Sequence, residues 1–340
     1  MNEYILKILK DIMAIDSPSG YTKEVMTYCE KEAQQLGFET KNANNGNLEI
    51  YIKGQDEYTV GFCAHVDTLG LMVRSINNDG TLCFTSVGGP IIPTLDGEYC
   101  RIITRNKQIY TGTILSNSPA AHVFKDSKTA SRSEETMHIR IDEMVKNKED
   151  VLKLGIQNGD YIAFDTKTEM TPSRFIKSRF LDDKMSVAIL FGVLKELSTK
   201  KIKPQHNLVF VISSFEEVGH GSSYIPSCID ELIAVDMGCI GKDLSCSEYD
   251  VSICAKDSSG PYHYDITTKL IKLAKDNKLQ YAVDIYPMYS SDVSAALRGG
   301  QNIKGALIGP GVHASHGMER THIQAVENTF KLVLSYIEAV

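Results

Sequence analysis

Tyr58-Thr59-Val60-Gly61-Phe62-Cys63 runs directly into Ala64-His65-Val66-Asp67, and the way this stretch is read decides the fold. An apolar run rich in β-branched residues, without polar alternation, suits a strand buried on both faces of a mostly parallel sheet. The histidine and carboxylate just beyond it then stand at the strand's carboxyl end, where open α/β sheets bind their ligands. The arrangement recurs. Leu208-Val209-Phe210-Val211-Ile212 precedes Phe215-Glu216-Glu217, Leu232-Ile233-Ala234-Val235 precedes Asp236, and Ile303-Lys304-Gly305-Ala306-Leu307-Ile308 precedes Ala314-Ser315-His316. A fifth cluster, Leu181-Asp182-Asp183, leads into a strongly helical stretch at 184–197.

Outward from these clusters, amphipathic helical patterns occupy residues 3–15 and 22–36, separated by the turn former Ser17-Pro18-Ser19-Gly20. Strands ending at Glu216, Asp236 and Gly309 alternate with helical patterns at 264–277 and 325–338. From about residue 70 to 171 the character changes to short alternating runs, such as Leu71-Met72-Val73-Arg74-Ser75-Ile76 and Tyr161-Ile162-Ala163-Phe164. They are punctuated by Asn78-Asp79-Gly80, Asp96-Gly97 and Asn158-Gly159. The expectation is an α/β fold, a mostly parallel sheet flanked by helices formed by residues 1–69 and 172–340, with a small antiparallel β domain inserted at 70–171.

A chain of 340 residues is long enough for two domains. Its net charge of −7 argues against nucleic acid or an anionic membrane as partner, because neither attracts an acidic surface. Eight cysteines without a C-x-x-C pair read as reduced core residues. No apolar stretch approaches a membrane span and the N-terminus carries no signal-like region, so a cytoplasmic, unprocessed protein is expected.

The clusters suggest a two-metal hydrolase. Zn²⁺ and Co²⁺ take imidazole and carboxylate ligands, and two such ions can share a carboxylate and a water whose pKa they lower. Asp182 is the candidate shared carboxylate, with His65 and Asp236 completing one site and Glu217 and His316 the other. Asp67, two residues past His65, is placed to accept the second imidazole N–H and fix its tautomer. Of the adjacent Glu216 and Glu217, one could ligate while the other serves as general base, and the pattern alone leaves their order open.

Taken in order, Ala64-His65-Val66-Asp67, Leu181-Asp182-Asp183-Lys184, Glu216-Glu217-Val218-Gly219, Val235-Asp236-Met237-Gly238 and Ser315-His316-Gly317-Met318-Glu319, with a β insertion between the first two, resemble the tetrahedral (TET) aminopeptidase family. The resemblance implies a zinc-peptidase-like fold and two divalent metal ions per chain, Zn²⁺ or Co²⁺. It also implies Glu216 as base and Glu217 as ligand, a cis Asp182–Asp183 peptide, and dimers joined through the insertion into dodecamers. The substrates it implies are short peptides, hydrolysed from the N-terminus by a metal-bridged water. Departures from the family pattern fall at Thr68, Lys184, His220-Gly221 and the stretch around His316.

Each residue also has a bland reading. A lone Asp-Asp or Glu-Glu pair is usually solvated surface, and His65 alone could be a hydrogen-bonded core histidine. His313 and His322 compete with His316, His220 suits a pocket wall, Glu319 is either pocket or structure, and the role of Thr68 is open. His122, His138, His206 and His263 read as structural or surface residues. Rival functions are an N-acyl amino acid amidohydrolase, which could use the same metal core, and a glycoside hydrolase, which some relatives have been labelled. Glycosidases need two carboxyls and no histidine cage, and the chain has no tryptophan for a sugar platform.

Overall fold

A computed structural model describes residues 2–339. The chain divides into two compact units, one built from residues up to Asp67 and from Lys167 onward, the other Thr68–Thr166. In the first, four parallel strands form the centre of a mixed sheet in the order Asn207–Ser213, Thr59–His65, Glu231–Val235 and Lys304–Val312. Antiparallel pairing begins at the flanks, with Leu48–Ile52 beside Asn207–Ser213 and Val251–Asp257 beside Lys304–Val312. Every residue of Thr59–His65 is buried, as the unalternating run requires of a strand covered on both faces.

Helices cover the sheet. Asn2–Met13 buries Ile5, Ile8, Leu9 and Ile12, the spacing of one helical face. The long element Leu181–Lys200 is buried from Leu181 through Leu194. It packs against Asn2–Met13, the strand Thr59–His65 and the C-terminal helix Ile323–Glu338, and a helix apolar all round is the one that belongs inside. Asp182 and Asp183 have non-helical backbone angles and are joined by a cis peptide, so regular helix starts at Lys184. The Lys184 ammonium, itself buried, donates to the carbonyls of Ile12 at 2.7 Å and Ile15 at 2.8 Å. It thereby ties the carbonyls at the end of the first helix and just beyond it to the start of the long one.

Two strands end elsewhere than the apolar runs suggest. Asn207–Ser213 stops three residues before Glu216, because Phe215 leaves extended geometry and Glu216–Val218 forms a 3₁₀ turn closed by Gly219 at φ +83°. Lys304–Val312 continues past Gly309 because Gly238–Cys239 pairs with its far end. A separate three-stranded antiparallel sheet contains Glu169–Met170, Phe175–Ser178 and Glu319–His322.

The second unit is a closed antiparallel barrel in the order Gly70–Ile76, Leu82–Val87, Met137–Ile141, Ile109–Ser116, Tyr99–Ile103, Tyr161–Phe164. Leu71, Val73, Leu82, Phe84, Ile102, Ile114, Ile139 and Ile162 fill it. Closure removes the exposed edges an isolated small sheet would carry. Among the described residues no helix is long and apolar enough to cross a membrane.

Candidate metal centre

Strand register sets the first half of the site. Cys63 lies opposite Ala234 on the parallel neighbour, so His65 and Asp236, each two residues further on, emerge side by side. On the other neighbour Ser213 is level with His65, and the turn after it carries Glu216 and Glu217. Gly309 makes room for Asp236: a Cβ there would fall 1.4 Å from the Asp236 carbonyl oxygen.

The second half is delivered by antiparallel pairing. Ser178 lies opposite Glu319, which brings the lead-in to Asp182 beside the loop containing His316. The Glu319 carboxylate accepts from the Asp182 backbone N–H at 3.1 Å and the His316 backbone N–H at 3.0 Å. One buried side chain therefore fixes both backbones. His316 is held at φ +64°, a left-handed conformation uncommon outside glycine.

Asp182 stands between the halves. Its Oδ1 is 3.2 Å from His65 Nε2 and its Oδ2 is 3.7 Å from His316 Nε2, which in turn is 3.6 Å from Glu217 Oε2. Ligand-type atoms of His65, Asp182 and Asp236 lie within 4.8 Å of one another, as do those of Asp182, Glu217 and His316. Glu216 joins neither trio, but its Oε2 is 3.6 Å from His65 Nε2.

His65 Nδ1 is 3.0 Å from the Asp67 backbone carbonyl. A carbonyl only accepts, so Nδ1 carries a proton, which leaves Nε2, beside Asp182, as the nitrogen a metal would take in place of a proton. The sequence reading gave this task to the Asp67 carboxylate, whose Oδ1 is 3.6 Å away. That carboxylate instead accepts from the Glu216 and Glu217 backbone N–H groups at 3.2 and 3.3 Å and from the Ser19 hydroxyl at 2.5 Å. Ser17, in the same turn, donates to the Val66 carbonyl. The turn at 17–20 thus braces the histidine strand from outside.

The electrostatics call for a cation. Burial, reinforced by Asp182, pushes the Asp236 carboxyl up to about 7. Burial likewise raises Asp183, Glu216, Glu217 and Glu319 well above the ordinary carboxylate range, with neighbouring carboxylates adding to the rise. Burial opposes protonation of His65, yet Asp182, Glu216, Asp67 and Asp236 together push its affinity for a proton well up. Glu217 Oε1 and Asp183 Oδ1 are buried without a hydrogen-bond partner, and such an oxygen is costly unless something positive meets it. Imidazole and carboxylate donors around orphaned anionic oxygens fit divalent ions such as Zn²⁺ or Co²⁺.

The competing histidines sit elsewhere. His322 caps the C-terminal helix, accepting from the Gln324 N–H, and packs its ring on Phe175. His313 is exposed and bridges through its backbone to Arg320. His220 stacks on Phe215 at 4.9 Å, and both line a groove of about 700 Å³ with Gly20, Met26 and Asn45. Sequence reasoning assigned no role to Ser19 or Asp183. Asp183 accepts from the His65 backbone N–H at 3.2 Å, and its only sequence signal was adjacency to Asp182.

Comparison with known proteins gives consistent results. The profile of the family described as M42 glutamyl aminopeptidase matches residues 46–332. YhfE of Bacillus subtilis (strain 168), to which aminopeptidase activity is ascribed, is 44% identical over 336 residues, spanning 98% of this chain and 97% of YhfE. The TET aminopeptidase of a marine-sediment thaumarchaeote superimposes with a TM-score of 0.89 at 18% identity, over 99% of this chain and 97% of that one. TET1 peptidase of Pyrococcus horikoshii, described as assembling into a tetrahedron or a large octahedral shell, gives 0.85 at 23% identity, over 99% and 100% of the two chains.

Proposed function

This chain belongs to the M42 glutamyl aminopeptidase family and is a peptide hydrolase, and we propose that it removes N-terminal residues from short peptides using two divalent metal ions, Zn²⁺ or Co²⁺. The observation that carries this reading is the position of Asp182 between two donor trios, His65 with Asp236 and Glu217 with His316. Bound ions would polarise the scissile carbonyl and lower the pKa of the attacking water.

The chain's own residues do the rest. Glu216 takes the proton from the attacking water and passes it to the leaving amine. Burial and its anionic neighbours raise its carboxyl, and a base poised nearer neutrality transfers protons in both directions. Asp67 holds the backbone of Glu216 and Glu217 so that the first faces substrate while the second ligates. His65 is kept in its ligating tautomer by the Asp67 carbonyl.

We further propose that copies of the chain assemble in the cytoplasm from dimers up to a dodecamer, with the barrel unit Thr68–Thr166 forming the dimer contact. Exposed Tyr99, Ile109 and Met144 on that unit supply apolar surface for it. Light scattering that gives only monomer at micromolar concentration would remove this part of the proposal.

The activity test is a panel of aminoacyl chromogenic substrates, with N-acetyl amino acids and carboxymethylcellulose alongside, run with and without chelator. Cleavage of free-amine substrates alone, abolished by chelation, is the expected outcome. Activity confined to N-acetyl amino acids or to cellulose would replace the aminopeptidase reading with one of its rivals.

A further inference from the structure

Both glutamates of the centre lie in the segment 213–222, and the two ends of that segment meet at a carboxylate that belongs to neither donor trio. Asp292, 2% exposed, accepts from the Ser222 backbone N–H at 2.8 Å and makes a short hydrogen bond with the Ser213 hydroxyl. Ser213 is the last residue of a central strand, level with His65. Ser222 lies just beyond the turn that carries Glu216 and Glu217. One side chain therefore ties the residue entering the turn to the residue leaving it.

The fit is close. A Cβ at Gly221 would fall 2.6 Å from Asp292 Oδ1 and 2.9 Å from the Glu216 backbone nitrogen, so the carboxylate packs against bare main chain. From the opposite side the Asn47 amide donates to the Gly221 carbonyl at 2.8 Å. Asp292 opens the helix Asp292–Arg298, which packs on Glu231–Val235 and Lys304–Val312, the strands that lead to Asp236 and the His316 loop. A buried carboxylate is costly unless its oxygens are used, and here they are used on the turn of the site while its helix rests on the strands.

We propose that Asp292 is a positioning residue for hydrolysis: it clamps both ends of the 213–222 segment and so fixes where Glu216 meets the attacking water, without touching metal or substrate. This rests on the reading of Glu216 as proton acceptor. Displacing a reacting group by about 1 Å can cost about a hundredfold in rate, which sets the scale expected when the clamp is lost.

The test compares metal content, KM and kcat in the full-length, metal-loaded enzyme. Asp292→Ala is expected to retain both metals and a KM within about twofold, with kcat lowered about 10- to 100-fold. Asp292→Asn keeps an acceptor for the Ser222 N–H and offers a donor that the Ser213 hydroxyl can accept, so kcat should return to within about threefold of the parent. If Asp292→Ala does not fold, Gly221→Ala and Ser213→Ala carry the test, each with a kcat loss of about 3- to 10-fold at unchanged metal content. Unchanged kcat in folded Asp292→Ala, or equal kcat losses in the Ala and Asn variants, would overturn the proposal. Glu216→Gln is measured in the same assay. An enzyme sensitive to it and indifferent to Asp292→Ala loses this proposal alone, whereas an enzyme indifferent to Glu216→Gln loses the reading beneath it.

Discussion

The two halves of the centre share Asp182 but rest on different kinds of backbone. His65 and Asp236 stand at the ends of adjacent central strands and are 1% and 3% exposed. Glu217 sits in a 3₁₀ turn and His316 in a loop at φ +64°, with its side chain 36% exposed. The first pair is positioned by sheet register, which cannot slip without turning every core residue outward. The second depends on local hydrogen bonds, those of Glu319 and Asp67 above all. The Glu217 side chain itself is only 3% exposed, so the second half is open at His316; a peptide would reach the centre on that side, and a metal held there would be lost more easily.

The largest break falls in the turn. Glu216→Gln should keep both ions and a near-normal KM while kcat drops by about 10² to 10⁴, the scale for losing a positioned base. Glu217→Ala should instead lose the ion of the open half. Metal analysis and kinetics on both variants check this, and the opposite pattern would exchange the two roles.

In the buried half the most damaging single change is Gly309→Ala. A methyl group there collides with the Asp236 carbonyl, and the backbone shift needed to relieve such overpacking costs about 1–3 kcal/mol or more. Thermal unfolding should show a lower Tm, and the variant should lose metal from the His65–Asp236 side. A full complement of metal at unchanged Tm would mean that the strand accommodates the methyl group.

Removing a ligand from each half tests their inequality. His316→Ala should retain one ion per chain under dialysis, and stepwise chelation of the parent should remove the open-half ion first. His65→Ala should weaken both ions, because its Nε2 partner Asp182 is shared. Simultaneous release of both ions at all chelator concentrations would contradict the distinction.

Acidity supplies the gentlest test. Without an ion the Asp236 carboxyl holds its proton up to about pH 7, far above an unperturbed Asp. Its protonated form therefore prevails below about pH 7, and ligation must expel that proton. Metal affinity of the buried half should fall at least tenfold per pH unit below about 7, because His65, whose affinity for a proton is also raised, must give one up as well; calorimetric titration at several pH values reads this. A flat profile between pH 5.5 and 7.5 would contradict ligation by His65 and Asp236.

Much of this was legible in the sequence for a physical reason. Runs such as 60–64 and 232–235 are apolar without alternation, and polar residues directly after them have only the strand ends to occupy. The same logic placed the helix after Asp182-Asp183 and the punctuated turns of the barrel. What stayed hidden depends on pairing between distant segments. Ser178 opposite Glu319 makes Glu319 a fastener for Asp182 and His316, and no local pattern announces that register. Asp67 stands out in the sequence beside His65, but its carbonyl serves His65 while its carboxylate serves the glutamate turn, a division set by where Ser19 and Glu216 arrive in space. Asp292 lies about 70 residues from the turn it clamps. Ile109–Ser116 and Met137–Ile141 carry a weak strand signal because Thr111, Gly112, Thr113 and His138 dilute their apolar character, and closure of the barrel rather than propensity makes them strands.

The most direct measurement is metal reconstitution. Chelator-stripped protein is titrated with Zn²⁺ or Co²⁺ while bound metal and aminoacyl-substrate hydrolysis are followed together. The expected result is no hydrolysis in the stripped protein and activity that reaches its plateau only as the second ion per chain binds. Full activity in the stripped protein, or a plateau at one ion with the second site never filled, would contradict a centre built around a shared Asp182.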